Sequence, residues 1–179
     1  MELIRHSHYL EVQHFLDDER LGKVCAFVQG REQDAQNVLF LDEEGIEFPE
    51  FQSADISDSL VKINPAYRNY RRANETKTIL NYLGDGQSYP PHHDICAYVG
   101  TLWLRLGDFT GGEFVFNDLG ETIEVAHNSC AIFPAGLQHE VRPVQGQGRF
   151  SVSHLMGIRP HQWALDLKHR RGNYADIYC

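Results

Sequence analysis

Along this chain the spacing of apolar side chains changes character near residue 75. Ahead of that point the repeats are helical. Leu21, Val24, Cys25 and Val28 recur at helical spacing behind Asp17-Asp18-Glu19, acids that suit the first turn of a helix, and Gly30 is a natural stop. Ile56, Leu60 and Ile63 predict a second, shorter helix over residues 53–63. Tyr9, Leu10 and Val12 alternate loosely, as an extended lead-in does. Between the helices, residues 31–50 are polar and acidic apart from Val38-Leu39-Phe40-Leu41, and Gly45 and Pro49 mark the stretch as irregular.

Beyond residue 75 the texture is short strands with glycine-rich turns. The expected strands are Thr76 to Leu83, Tyr98 to Leu106, Glu113 to Phe116, Thr122 to Val125, Ser129 to Phe133, His139 to Val144 and Arg149 to Ile158. Turns such as Gly84-Asp85-Gly86, Gly111-Gly112 and Gln145-Gly146-Gln147-Gly148 separate them. Helices at the front and closely spaced strands behind predict a mainly β protein, a cupin-like jelly roll or double-stranded β-helix. The expected organisation is one domain over residues 1–179: a helical support over 1–75, a jelly-roll core over 76–158 and a C-terminal cap over 159–179. The cap carries Trp163, Leu165 and Leu167 without a clear period.

Composition narrows the partners. With 42% hydrophobic and 23% charged residues the chain is an ordinary globular sequence. Its formal net charge of −9 disfavours nucleic acid and anionic membrane as partners. The four cysteines, Cys25, Cys96, Cys130 and Cys179, have no framework spacing, and the start lacks the apolar run of a secretory signal. The expectation is a cytoplasmic protein with free thiols and no membrane span. One local exception is the basic, aromatic segment Pro65 to Arg72, readable as a solvated loop or as a lid or groove wall meeting an anionic or peptide substrate.

Candidate chemistry centres on Tyr89-Pro90-Pro91-His92-His93-Asp94. Residues two apart on extended chain share a face, so His92 and Asp94 point one way and His93 the other. The two prolines fix an extended entry. His139, after the turn Phe133 to Gly136 and at the start of a strand, is the natural third ligand; His127 and the His6/His8 pair rank lower. Two imidazoles and one carboxylate leave half of an octahedral metal open, the face suited to non-haem Fe(II). In Arg149-Phe150-Ser151-Val152-Ser153 the odd positions are polar. If Phe150 and Val152 pack under the helices, Arg149 and Ser151 face the sandwich interior, where a buried guanidinium needs an anion and pairs well with a carboxylate. Arg142 lies an odd number of positions from His139 and faces away.

The ordered set His92-x-Asp94, Gly111-Gly112-Glu113, His139-Glu140-Val141-x-Pro143-Val144 and Gly148-Arg149-x-Ser151 resembles the Fe(II)/2-oxoglutarate-dependent dioxygenases, most closely the prolyl-hydroxylase type. The resemblance covers residues 76–158. It implies that His92, Asp94 and His139 hold iron and that Arg149, aided by Ser151, binds the distal carboxylate of 2-oxoglutarate. It also implies that Tyr82, ten residues before His92, gives its hydroxyl to the co-substrate. Leu104 departs from the tyrosine of the hypoxia-sensing members. The implied activity consumes dioxygen and 2-oxoglutarate, with ascorbate as an optional reductant, and hydroxylates a C–H bond. A prolyl residue in a protein or peptide is the favoured substrate. The alternatives are a free amino acid or small metabolite, and a non-catalytic sensor of metal or 2-oxoglutarate.

Overall fold

The computed structural model of the chain describes residues 1–36 and 38–158. The expected cap over 159–179 lies outside them. The N-terminal part contributes β1 (Glu2–Arg5), β2 (Leu10–Gln13), α1 (Asp18–Val28), α2 (Glu32–Gln36), β3 (Leu39–Phe40) and α3 (Ala54–Ile63). The strand-rich part contributes β4 (Glu75–Leu83), β5 (Tyr89–His92), β6 (Tyr98–Arg105), β7 (Phe109–Gly111), β8 (Phe114–Phe116) and β9 (Glu121–Ile123). It closes with β10 (Ser129–Pro134), β11 (His139–Val141), β12 (Val144–Gly146) and β13 (Arg149–Gly157).

Among the described residues a seven-stranded sheet runs β1-β2-β10-β6-β13-β4-β3, faced by a four-stranded sheet β5-β11-β8-β9 and a two-stranded ribbon β12-β7. This is the double-stranded β-helix that the strand pattern predicted. Alternation along the large sheet feeds two cores. Leu102 and Leu104 of β6 and Phe150 and Val152 of β13 pack with Val24, Val28, Ile56 and Leu60 from the helices. On the other face Trp103 joins Phe114, Phe116 and Phe133 between the sheets. Each fully buried side chain of this size contributes about 1.5–3 kcal/mol, so both faces of the large sheet are energetically committed. That commitment fixes the register of β13, because a slip of one residue would turn Arg149 into the helical core.

Helix α1 starts where the acids placed it: the Asp17 side chain accepts a hydrogen bond from the Arg20 N–H at 2.8 Å. The expected strand over His139 to Val144 is instead two strands in different sheets, β11 and β12. Pro143 has no N–H to extend a ladder, so the chain leaves one sheet before it and enters the ribbon after it. Strands β1, β3, β5 and β7 were not anticipated; they are short, polar or interrupted by proline and glycine.

Both readings of the basic, aromatic segment need correction. Pro65–Arg72 is a 3-10 helix whose Tyr67 and Tyr70 are buried against the large sheet. The Tyr67 hydroxyl donates to the His8 carbonyl and the Tyr70 hydroxyl to the Phe51 carbonyl, both at 2.7 Å. Arg71 pairs with Asp58 at 2.6 Å, leaving Arg68 and Arg72 exposed. The aromatics pin the helical layer, on the face of the sheet opposite the candidate ligands.

Gly100 shows how closely that layer sits. A Cβ there would lie 2.3 Å from Cε1 of Phe51, whose ring stacks on His154 at 4.9 Å. Gly100→Ala should cost about 1–3 kcal/mol, read as a lower urea midpoint with unchanged m-value. His154 is buried and hydrogen-bonded to Thr78 Oγ1 at 2.9 Å. Burial pushes its pKa from 6.5 down to about 4, against the upward pull of Asp42. The unfolded chain takes up that proton first, so the stability it contributes is present above pH 6.5 and lost as pH falls toward 4. His154→Gln should flatten the stability–pH curve in this window by up to about 3 kcal/mol, measured by urea titration at each pH.

Candidate active site

His92 ends β5 and His139 begins β11, and the two residues are paired across the antiparallel ladder. Cross-strand partners have closely spaced side chains, and these two rings lie 4.2 Å apart. Asp94 falls just beyond the end of β5. Its position is held by its own N–H, which donates to the Ala135 carbonyl at 3.1 Å. The alternation nevertheless continues past the strand: His92 and Asp94 are half-buried and His93 is exposed. One ligand atom from each of His92, Asp94 and His139 lies within 4.8 Å of the others. Among the described residues no other cluster of this kind occurs.

The donor set has the protonation a cation requires. Nδ1 of His92 lies 2.9 Å from the Pro90 carbonyl and Nδ1 of His139 lies 2.9 Å from the Leu137 carbonyl. A carbonyl only accepts, so each Nδ1 carries the proton and each Nε2 presents a lone pair. Nε2 of His139 then faces Asp94 Oδ2 at 3.3 Å. Two acceptors at that separation are reconciled by a proton or a metal ion between them. Burial and the neighbouring His139 hold the His92 pKa down, which favours the neutral ligand form. Phe114 stacks on His139 at 5.2 Å and Phe133 meets it edge-on at 5.0 Å, walling water from one side.

Arg149, at the start of β13, is 1% exposed. Its Nε donates to the Gly112 carbonyl at 2.9 Å, while its buried Nη2 has no partner. Burial, with Arg105 adding to the effect and Glu113 opposing it, lowers its pKa to about 10, so it is charged at neutral pH. A buried cation with an unsatisfied donor is a site built for an anion. Ser151, two residues on and 6% exposed, lines the same face. His127 is not among the ligands; its Nδ1 accepts the Arg105 backbone N–H at 3.1 Å.

Tyr82 does not join this face, contrary to what the resemblance implies. It pairs with Phe150 across the sheet, their rings 4.8 Å apart, and belongs to the helical core. Its hydroxyl donates to Gln147 Oε1. The interior-facing neighbours of Arg149 and Ser151 on β4 are Leu83 and Asn81. A count of ten residues to His92 carries no information about sheet face, because the turn between the strands absorbs any parity. Leu104 likewise faces the helices; the interior residue beside it is Trp103. Trp103, paired with Ser151 in the ladder, is the interior residue that the sequence pattern did not single out.

A double-stranded β-helix carrying a two-histidine, one-carboxylate face beside a buried cation defines a class of metal-dependent oxygenase scaffold. Residues 78–156 of the chain match the family model of the 2OG-Fe(II) oxygenase superfamily. That match and the ligand cluster support a 2-oxoglutarate-dependent dioxygenase, an enzyme type that needs Fe(II) and 2-oxoglutarate. Among similar solved structures is a Pseudomonas putida prolyl-4-hydroxylase, with a TM-score of 0.65 at 17% identity, covering 86% of this chain and 94% of that one. A viral collagen prolyl hydroxylase from Paramecium Bursaria Chlorella virus-1, in its 2OG complex, has a TM-score of 0.54 at 14% identity, covering 85% and 97%. Prolyl 4-hydroxylases from Phytophthora capsici give 0.59 at 15% identity, covering 96% and 75%. Identities this low carry the fold. No curated protein matches the sequence.

Gly112 supplies a test of the anion subsite. Its φ is +69°, and a Cβ there would meet Arg149 Cδ at 2.7 Å. Gly112→Ala should therefore displace the guanidinium and raise the 2-oxoglutarate KM about tenfold or more, with metal affinity retained. Turnover titrated against 2-oxoglutarate at saturating Fe(II) checks it.

Proposed function

We propose that this chain hydroxylates a prolyl residue in a protein or peptide, with Fe(II) held by His92, Asp94 and His139. Arg149, assisted by Ser151, takes the distal carboxylate of 2-oxoglutarate. The observation that carries the reading is the unpartnered, buried Nη2 of Arg149, in a fold that also clusters the three ligand side chains. When bound, iron would supply dioxygen activation coupled to oxidative decarboxylation of 2-oxoglutarate to succinate.

The chain's own residues do the rest. Pro90 and Leu137 lock the two imidazole tautomers through their carbonyls, so each Nε2 stays free for the metal. Arg149 orients the co-substrate by a charge-assisted contact and needs no proton transfer to do so. The wall of Phe114 and Phe133 excludes water from the ligand His139. For a prolyl substrate the support is twofold. Similar folds include prolyl 4-hydroxylases. Beside the ligands, Tyr89 and Ile95 are 49% and 64% exposed, an apolar rim that suits a pyrrolidine ring. A cytoplasmic, reducing setting belongs to the same reading, supported by the free thiols of Cys25, Cys96 and Cys130. No helix among the described residues is long and apolar enough to cross a membrane.

Fe(II) and 2-oxoglutarate added without oxygen should produce a weak visible charge-transfer band. Oxygen and a proline-rich peptide should then give succinate and a peptide heavier by one oxygen atom. A band without succinate on any substrate would point to a sensor, and succinate without peptide oxidation to a small-molecule substrate. His92→Ala and Asp94→Ala should abolish the band, while His93→Ala keeps it; loss of metal in His93→Ala alone would overturn the ligand assignment.

A further inference from the structure

Trp103 is buried without solvent contact, and its indole N–H has no hydrogen-bond partner. Four side chains carry buried, unpartnered polar atoms among the described residues: Glu50, Ser53, Trp103 and Arg149. Glu50 and Ser53 flank the start of α3, in the helical layer. Trp103 and Arg149 are different, because the large sheet places both on its interior face.

The register makes them neighbours. In the β13–β6 ladder Ser151 is paired with Trp103 and Arg149 with Arg105. Trp103 thus sits directly beside Ser151 and diagonally from Arg149, a spacing that long side chains bridge. Its ring meets Phe114 at 5.6 Å, and Phe114 stacks on His139. The indole therefore lies in the layer between the anion subsite and the metal ligands. Leu102 and Leu104 on either side of it point into the helical core, so parity excludes them from this role.

Both orphans are donors with no acceptor capacity. Two donors cannot satisfy each other, and burial keeps both from bulk solvent. What satisfies both is a single group with two or more acceptor oxygens. A packing role accounts for the six-membered ring of Trp103 but not for a buried N–H, which phenylalanine or leucine would avoid.

We propose that the indole Nε1–H of Trp103 donates a hydrogen bond to the 2-oxoglutarate carboxylate held by Arg149, making Trp103 a co-substrate-binding residue. This rests on the assignment of Arg149 to that carboxylate. The indole has no pKa in the working range and only donates, so the contact needs an acceptor oxygen and persists across pH.

Trp103→Phe keeps the ring and removes the N–H. With redox-inert Zn(II) in the site, calorimetric titration of 2-oxoglutarate should show binding weakened about tenfold or more in Trp103→Phe, with Zn(II) affinity unchanged. In turnover, the 2-oxoglutarate KM should rise by a similar factor while kcat at saturation stays within about twofold, since ground and transition states lose the contact equally. Arg149→Gln serves as the reference. If it weakens binding and Trp103→Phe does not, the role of Trp103 is overturned and the Arg149 reading stands. If neither changes binding, the co-substrate reading itself falls. A third measurement needs no substitution at 103. The chain has two tryptophans, Trp103 and Trp163. In Zn(II)-loaded ¹⁵N-labelled protein, the indole N–H resonance that persists in Trp163→Phe should move downfield when 2-oxoglutarate is added. An unmoved resonance at saturation overturns the proposal even if Trp103→Phe fails to fold.

Discussion

Everything around the site depends on keeping one guanidinium group out of water. Arg149 stands at the first position of β13, between β4 and β6, and its side chain is buried against Gly112. The surroundings give it a single carbonyl and leave one nitrogen bare. Desolvating such a group is costly, and nearby Arg105 makes it costlier. The fold tolerates the cost because every other residue of β13 is anchored: Phe150, Val152 and Met156 are locked into the helical core. Apolar packing on one face of the strand thus holds a polar group in place on the other. The free energy stored in the unsatisfied donor is released only when an anion arrives.

The two cores divide the labour. The helical layer, pinned by Phe51, Tyr67 and Tyr70, sets the register of the large sheet. The layer between the sheets, built from Trp103 and a group of phenylalanines, shapes the space in which His139 and Arg149 sit. Position and chemistry are therefore separated by the thickness of one sheet. A change in the helical layer reaches the site through register, not through contact.

Much of this was legible in the chain, and what failed did so for identifiable reasons. Parity along a continuous strand is a sound guide, and it set Arg149 and Ser151 apart from Phe150 and Val152 before any coordinates. It also separated His92 from His93, although Asp94 proves to be placed by a hydrogen bond to Ala135 and not by the strand. Parity does not survive a loop. Tyr82, whose role came from the resemblance alone, lies in another strand and shares the face of Phe150. Trp103 carries no signal in the sequence, because an indole in an apolar strand gives no hint that its N–H goes unpaired. Tyr67 and Tyr70 were masked by the arginines between and after them, which look like a surface stretch although the tyrosines alone decide where it packs. Strand β5 has no periodicity to detect, since half of it is proline.

Those prolines have a consequence of their own. Among the described residues β5 is one of the two outer strands of the four-stranded sheet, and it carries the candidate ligand His92. An outer strand normally offers a row of amide donors on which another chain can add as a further strand. Pro90 and Pro91 have none to offer, and their rings roughen the edge. Copies of the protein thereby find two fewer amide donors for zipping together along this strand, and so would any other chain laid against it. An enzyme of this design would read what a peptide carries more than the line of its backbone.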